Sequence, residues 1–327
     1  MAAEADSAKV VIAAMIGNGL IAASKFGAGF LTGSASMIAE AVHSVADTAN
    51  QALLMIGLRR SRGKPTQMHP FGMAAESYFW PFLVSILIFF VGGVFALYEG
   101  AHALMGEAEP EADGASTLWN YGVLGAATLF EAYSFTVAIR EFRKMKGSAS
   151  TMEVIKTTKD PTIPVVLMED AAAMLGLLIA LAAVTLGDLT GWDGWDGVGS
   201  LAIGALLSGV AYLLARETHS LLLGETASKE DRRKVVEIVE ADAAVLRVTQ
   251  LLSMHRGPED VLLALKVGFD PKLSVEQLEA AIDRIEEAIR TGVPRMKHIF
   301  IEPDADYDPA LDPERPGGLA SPPRAAE

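Results

Sequence analysis

Six stretches of the chain are apolar over lengths that suit a membrane better than a soluble core. They lie near residues 8–31, 35–58, 78–104, 116–139, 162–186 and 197–215. About 20 helical residues cross a hydrocarbon layer of about 30 Å, so each stretch reads as a transmembrane helix. The opening MAAEADSAK is short and acidic, unlike the basic start of a signal peptide. From Arg216 onward the pattern changes to short amphipathic elements. Ser228-Lys-Glu-Asp opens a helix with a capping-box-like start. Residues 246–254 and 260–269 read as strands flanking a turn, HRGPE. Ser274-Val-Glu-Gln starts a second helix, with Val275, Leu278, Ile282, Ile285 and Ile289 at helical spacing. Residues 296–302 form a last strand. The order α-β-β-α-β suits a small open-faced sandwich. The chain thus reads as a membrane domain over 1–215, a soluble α+β domain over 216–303, and a disordered tail over 304–327, rich in Pro, Asp, Ala and Gly.

Charge gives the layout an orientation. The loop between the second and third stretches reads RRSRGK, and the loop after the fourth holds Arg140, Arg143, Lys144, Lys146, Lys156 and Lys159. The loops after the first, third and fifth stretches, TGSAS, GEAEPEADGAS and GDLTGWDGWDG, hold no Lys or Arg. Positive charge stays on the cytoplasmic side, so both termini are expected there. Trp80, Trp119, Trp192 and Trp195 sit at predicted helix ends, where amphipathic rings favour the interface.

Composition narrows the chemistry. Of 327 residues 51% are hydrophobic, and 27 Lys+Arg against 41 Asp+Glu give a net charge of −14. An acidic chain lacks the basic footprint that phosphate neutralisation needs, which argues against nucleic-acid binding. Zero Cys excludes disulfides, thiolate catalysis and Cys-based metal centres. Any metal chemistry rests on carboxylates, amides and six His.

Ionisable groups at membrane depth cost about 2.5–3.5 kcal/mol each on insertion scales, so each invites a functional explanation. The second stretch carries Glu40, His43 and Asp47, whose spacings of three and four place them on one helix face. His43 and Asp47 stand one turn apart, ~6 Å along the axis, within reach of one small divalent ion. The fifth stretch carries Glu169 and Asp170. Adjacent helical residues diverge by ~100°, so one is expected to bind, while the other bonds a neighbour or receives protons. Glu131 in the fourth stretch is either a proton acceptor or a packing partner for Lys25. Asn18 reads as an interhelical hydrogen-bond donor. His69 lies in the loop before the third stretch. His255 and His298, in the soluble domain, have no second His or carboxylate at ligand spacing.

These residues resemble the cation diffusion facilitator family, the solute carrier 30 zinc transporters. The resemblance runs over residues 8–303. It rests on GSASMIAEAVHSVADTANQALL, HPFG followed by ESYFWPF, MEDAAAMLGLLIA, and LLLGE at 221–225. It is strongest toward the branch that contains zinc transporter nine. It implies a homodimer of six-span protomers, each with a cytoplasmic ferredoxin-like domain, exporting a divalent metal in exchange for protons by alternating access. Zn²⁺ is the expected substrate, with Fe²⁺, Mn²⁺ or Co²⁺ efflux as the alternative; no bound cofactor is implied. The family's mid-membrane metal site takes two residues four apart in the second span, which His43 and Asp47 match, and two in the fifth. In the fifth, Val165 and Val166 stand four before Glu169 and Asp170, so Asp170, Glu169, or both through helix distortion supply that side. Glu40, Glu131 and His69 are accessory or proton-relay candidates. The family's loop site often has a second His soon after its HxFG motif. Met73 occupies that position here, so the loop site is expected to be weak or missing.

Other classes fit less well. A membrane-embedded metalloenzyme needs an open coordination position and a general base, and no HExxH motif or nucleophile motif accompanies His43; the chain is not read as an enzyme. A metal receptor without transport would need an output module, and no catalytic or DNA-binding one is evident. The expected location is multi-pass in a bacterial inner membrane.

Overall fold

The computed structural model describes residues 2–32, 35–105, 115–146, 154, 158–192 and 194–304, with side chains except at 2–7, 25, 28–32, 35–43, 46, 115–121, 123, 124 and 145. Six long helices come first: α1 (Ala2–Thr32), α2 (Ala35–Arg60), α3 (Glu76–Leu104), α4 (Ala115–Lys146), α5 (Thr162–Thr190) and α6 (Gly194–Leu223). Several outrun the apolar stretches that predict them, α4 to Lys146 and α6 to Leu223. An apolar run ends where water begins, but the backbone stays helical until a breaker arrives. For α5 the breaker is Gly191, a left-handed C-cap at φ 65°.

Among the described residues three helices, α3, α5 and α6, are long and apolar enough to cross a membrane, and α1 has a shorter apolar stretch, Ala8–Ser24. The described parts of α1, α2 and α4 carry Asn18, Asp47, Asn50, Gln51 and Glu131, and these polar side chains turn inward (below). All six helices contribute to one apolar cluster, with Val10 and Val11 from α1, Leu54 and Leu58 from α2, Val84 from α3, Phe142 from α4, Val166 from α5 and Leu214 from α6. The side chain of Glu141 is nearly inaccessible and is held by Lys9 at 2.8 Å and Lys144 at 2.6 Å.

Helix α3 is irregular. It is α-helical over Glu76–Leu87 and Phe95–Leu104, and π-helical over Ile88–Val94. Such wide turns concentrate at functional sites. Beyond them α3 lies close against α6. A Cβ on Gly100 would stand 2.7 Å from Leu201 N and 2.8 Å from Gly197 O, so only glycine permits this approach.

The chain divides into two units, residues 1–63 with 76–219, and 64–75 with 220–327. The second holds α7 (Lys229–Glu240), β1 (Val245–Gly257), β2 (Asp260–Phe269), α8 (Val275–Gly292) and β3 (Met296–Pro303). The sheet order is β1-β2-β3, with β1 and β2 antiparallel and β2 and β3 parallel, since α8 carries the chain back across the sheet. Val261, Leu263, Leu265 and Val267 alternate along β2 and are buried with Val235 and Val239 of α7 and Ala281, Ile285 and Ile289 of α8. Periods of 2 and 3.6 meet in that one core. Ser228 and Ser274 cap α7 and α8, the latter in a full capping box with Gln277. The turn is tighter than HRGPE suggests. Strand β1 runs through His255 to Gly257, which pairs with Asp260, leaving Pro258 and Glu259 as the turn. His255 explains the extension. It is buried, its amide donates to Glu225 O at 2.7 Å, and its Nδ1 lies 3.1 Å from Gly257 O.

The segment Lys64–Ala75, from between α2 and α3, belongs to this second unit. Arg256 holds it, donating to Phe71 O at 2.5 Å and Gly72 O at 3.3 Å, with its guanidinium 5.1 Å from the Phe71 ring centroid. Phe71 also meets His298 edge-on at 5.1 Å. The tail from Ala305 and residues 106–114 lie outside the described residues.

Candidate metal centre

Within the six-helix unit a cavity of about 520 Å³ opens between the helices. Four acids line it: Asp47 of α2, Glu131 of α4, and Glu169 and Asp170 of α5. Asn18, Ser44 and Asn50 add neutral polar groups, and Ile88, Val91 and Gly92 from the π turns of α3 form part of an apolar wall. Glu131 and Asp170 are 5% and 1% exposed, so the carboxyl groups sit in the interior of the bundle.

The sequence leads one of Glu169 and Asp170 to be expected as a ligand and the other as a neighbour's partner or proton acceptor. They point to opposite neighbours, yet both line the same cavity. Ser134 of α4 donates to Asp170 Oδ2 at 2.8 Å. On the other side Asn50 Nδ2 donates to Glu169 Oε1 at 3.2 Å, and Gln51 Nε2 donates to Glu169 Oε2 at 2.5 Å. The cavity is wide enough to take in the ~100° between them. Each acid thus accepts from a neutral neighbour while lining the cavity.

The cavity is placed asymmetrically. From the acids its lining runs along α5 through Ala173 and Gly176 to Ala180, toward the end of the bundle where α5 finishes. That is ~15 Å of helix at 1.5 Å per residue. In the other direction lies the apolar cluster to which all six helices contribute. It stands between the acids and the ends where α2 finishes and α3 and α5 begin.

Glu40 and His43 lie on the helical backbone of α2, but their side chains are outside the described residues. The same holds for Lys25, the alternative partner of Glu131. His69 is exposed on the Lys64–Ala75 segment, and its amide donates to Thr66 Oγ1 at 3.0 Å. Among the described residues no group of three His, Asp or Glu side chains is close enough to hold a metal ion. In the second unit His298 Nε2 lies 3.4 Å from Asp260 Oδ1, a pairing that residue spacing does not reveal because β3 and the start of β2 meet only in the sheet. Asn50, Gln51 and Ser134 were also missed as site residues. Helical spacing offered a clue, since they follow Asp47 by three and four positions and Glu131 by three.

Comparison with known proteins places the chain. Residues 11–223 match the cation efflux transmembrane domain, and residues 227–306 match the cation efflux protein cytoplasmic domain. The mitochondrial proton-coupled zinc antiporter SLC30A9 of Xenopus laevis is 32% identical over 90% of this chain and 59% of its own length. Metal tolerance protein C4 of Arabidopsis thaliana is 31% identical over 90% of this chain and 73% of its own. The manganese efflux system protein MneP of Bacillus subtilis is 22% identical over 92% and 97%. The chain spans about three-fifths of the length of the zinc antiporter it matches. Two family domains that follow one another along almost the whole chain, with buried acids where the first domain's helices converge, show that it belongs to the cation efflux, or cation diffusion facilitator, family.

Proposed function

We propose that the protein is a secondary active transporter that exports a divalent cation, zinc first, from the cytoplasm in exchange for protons. The observation that carries this is the four-acid cavity inside a cation efflux transmembrane domain. In this reading α1–α6 are six membrane spans with both termini cytoplasmic, and the second unit is a ferredoxin-like cytoplasmic domain through which two copies pair. His43 and Asp47 of α2 and Glu169 and Asp170 of α5 are the cation ligands. Glu131 and Glu40 accept protons, and His69 is accessory. The protein acts as a carrier, not an enzyme. The location proposed is a bacterial plasma membrane, with a mitochondrial one the alternative that the name of the Xenopus laevis relative raises.

Ligand chemistry links cation and proton. A divalent ion needs neutral imidazole and ionised carboxylates, so loading the site expels protons. Opened to a side richer in protons, the same groups take up protons and the cation leaves. The extent of the cavity away from the apolar cluster supports an outward-facing arrangement, with the cluster closing the cytoplasmic side. Manganese or iron efflux is the second reading. Four carboxylates against one imidazole make an oxygen-rich wall that suits harder cations, and the Bacillus subtilis relative is named for manganese.

The test is metal-resolved transport by purified protein in proteoliposomes under a set pH gradient. His43→Ala and Asp47→Ala should each abolish proton-driven zinc transport. Undiminished transport by both variants would sink the site.

A further inference from the structure

Asn50 and Gln51 carry no charge and bind no metal well, yet they meet the candidate site at a critical place. They follow Asp47 by three and four positions, so they continue its face of α2. Between them they occupy both carboxylate oxygens of Glu169, at 3.2 and 2.5 Å. Gln51 is fully buried, and its own Oε1 has no hydrogen-bond partner among the described residues. A buried glutamine with an unsatisfied acceptor is a costly way to fill space. Leucine or methionine would fill it without that penalty. What glutamine adds is the donor on Glu169.

We infer that Asn50 and Gln51 are positioning residues of the cation site, acting through Glu169; this rests on the function proposed above. Their amides fix where the Glu169 carboxylate stands in the cavity that Asp47 also lines, and so fix the spacing offered to a cation. A carboxylate has about four lone-pair positions, so an oxygen that accepts one amide N–H keeps a lone pair for a metal. The choice of amides matters. A Lys or Arg would hold Glu169 as well, but its charge would neutralise the acid and repel the cation. A neutral donor orients the ligand without competing for its charge. The roles are split by position, since Asn50 lines the cavity and Gln51 stands behind it.

The test compares wild type, Asn50→Leu, Gln51→Met and the double variant, which keep side-chain size and lose the donors. Full-length protein in proteoliposomes is assayed for initial rates of Zn²⁺ and Mn²⁺ transport across a concentration series, with thermal unfolding measured in parallel. Loss of groups that orient a metal ligand costs about 10–100-fold in affinity or activity. The double variant should therefore raise KM for Zn²⁺ by about 10-fold or more, change kcat much less, and alter the Zn²⁺ to Mn²⁺ preference. If the double variant does not fold, Gln51→Met alone decides, with a KM rise of at least about threefold expected. A lowered unfolding temperature with KM and metal preference unchanged would mean that the amides only tie α2 to α5, and would overturn the inference. Failure of the transport reading itself looks different, since wild type would then move no cation, or His43→Ala would move it as well as wild type.

Discussion

At the scale of single residues, position in the fold decides what a charge does. Asp242, in the second unit, shows this. Its partial burial alone would raise its pKa. Arg284 donates to both its oxygens at 3.1 Å, and the Ala244 amide donates at 2.9 Å. Together these donors outweigh burial and leave the group below the ordinary aspartate value. A carboxyl group lowered on folding stabilises the fold above its unfolded pKa, and that stability is lost as pH falls through the folded value. Unfolding measured between neutral pH and the acid side should therefore show a loss confined to the region below the ordinary aspartate range. Arg284→Ala should remove that part of the profile. It should cost less than about 1 kcal/mol at neutral pH, because Arg284 is 58% exposed and its pairing is solvent-screened. The site acids tell the other half. That Asp47, Glu131, Glu169 and Asp170 would be singled out was legible from their cost in an apolar helix, and all four line one cavity. That Glu169 leans on α2 and Asp170 on α4 was not, because a one-dimensional spacing gives the angle between side chains and not the neighbour each one finds.

At the scale of elements, close packing limits what α3 and α6 tolerate. Gly100→Val would drive a side chain into the backbone of α6, at Leu201 N and Gly197 O. Overpacking of this kind costs about 1–3 kcal/mol, so the unfolding temperature in detergent should fall clearly. Gly19→Ala on α1 meets nothing within 4 Å among the described residues and should leave it unchanged; equal effects from the two would show that the α3–α6 approach is not limiting. The elements of the second unit were largely legible. The caps at Ser228 and Ser274, the strand alternation and the β2 bounds follow from local chemistry. The π turns of α3 were not legible, since Ile88–Val94 reads as an ordinary apolar run. The widened turn is a tertiary compromise beside a cavity.

At the scale of the whole molecule, the chain order and the spatial grouping differ at one place. Lys64–Ala75 falls between α2 and α3 in sequence but belongs to the second unit, held there by Arg256 through two carbonyls and one ring. A Cβ on Gly257 would come 2.8 Å from Ala74 Cβ, a second sign of the close fit. Charged hydrogen bonds are worth about 1.5–3 kcal/mol each, so Arg256→Ala should speed amide exchange in Lys64–Ala75 by about 10-fold or more. Unchanged exchange there would show that other contacts hold the segment. HPFG was legible as a motif, but its docking on β1 was not, because Phe71 and Arg256 lie 185 positions apart. The division of labour is physical. Periodicity, caps and the cost of charge in an apolar helix act over one to four residues, so the sequence by itself determined six long helices, an α-β-β-α-β unit, and the acids that had to face inward. Which helix each acid leans on, the amides that hold Glu169, and the side toward which the cavity extends depend on contacts between residues far apart in the chain, and only the tertiary structure decided them.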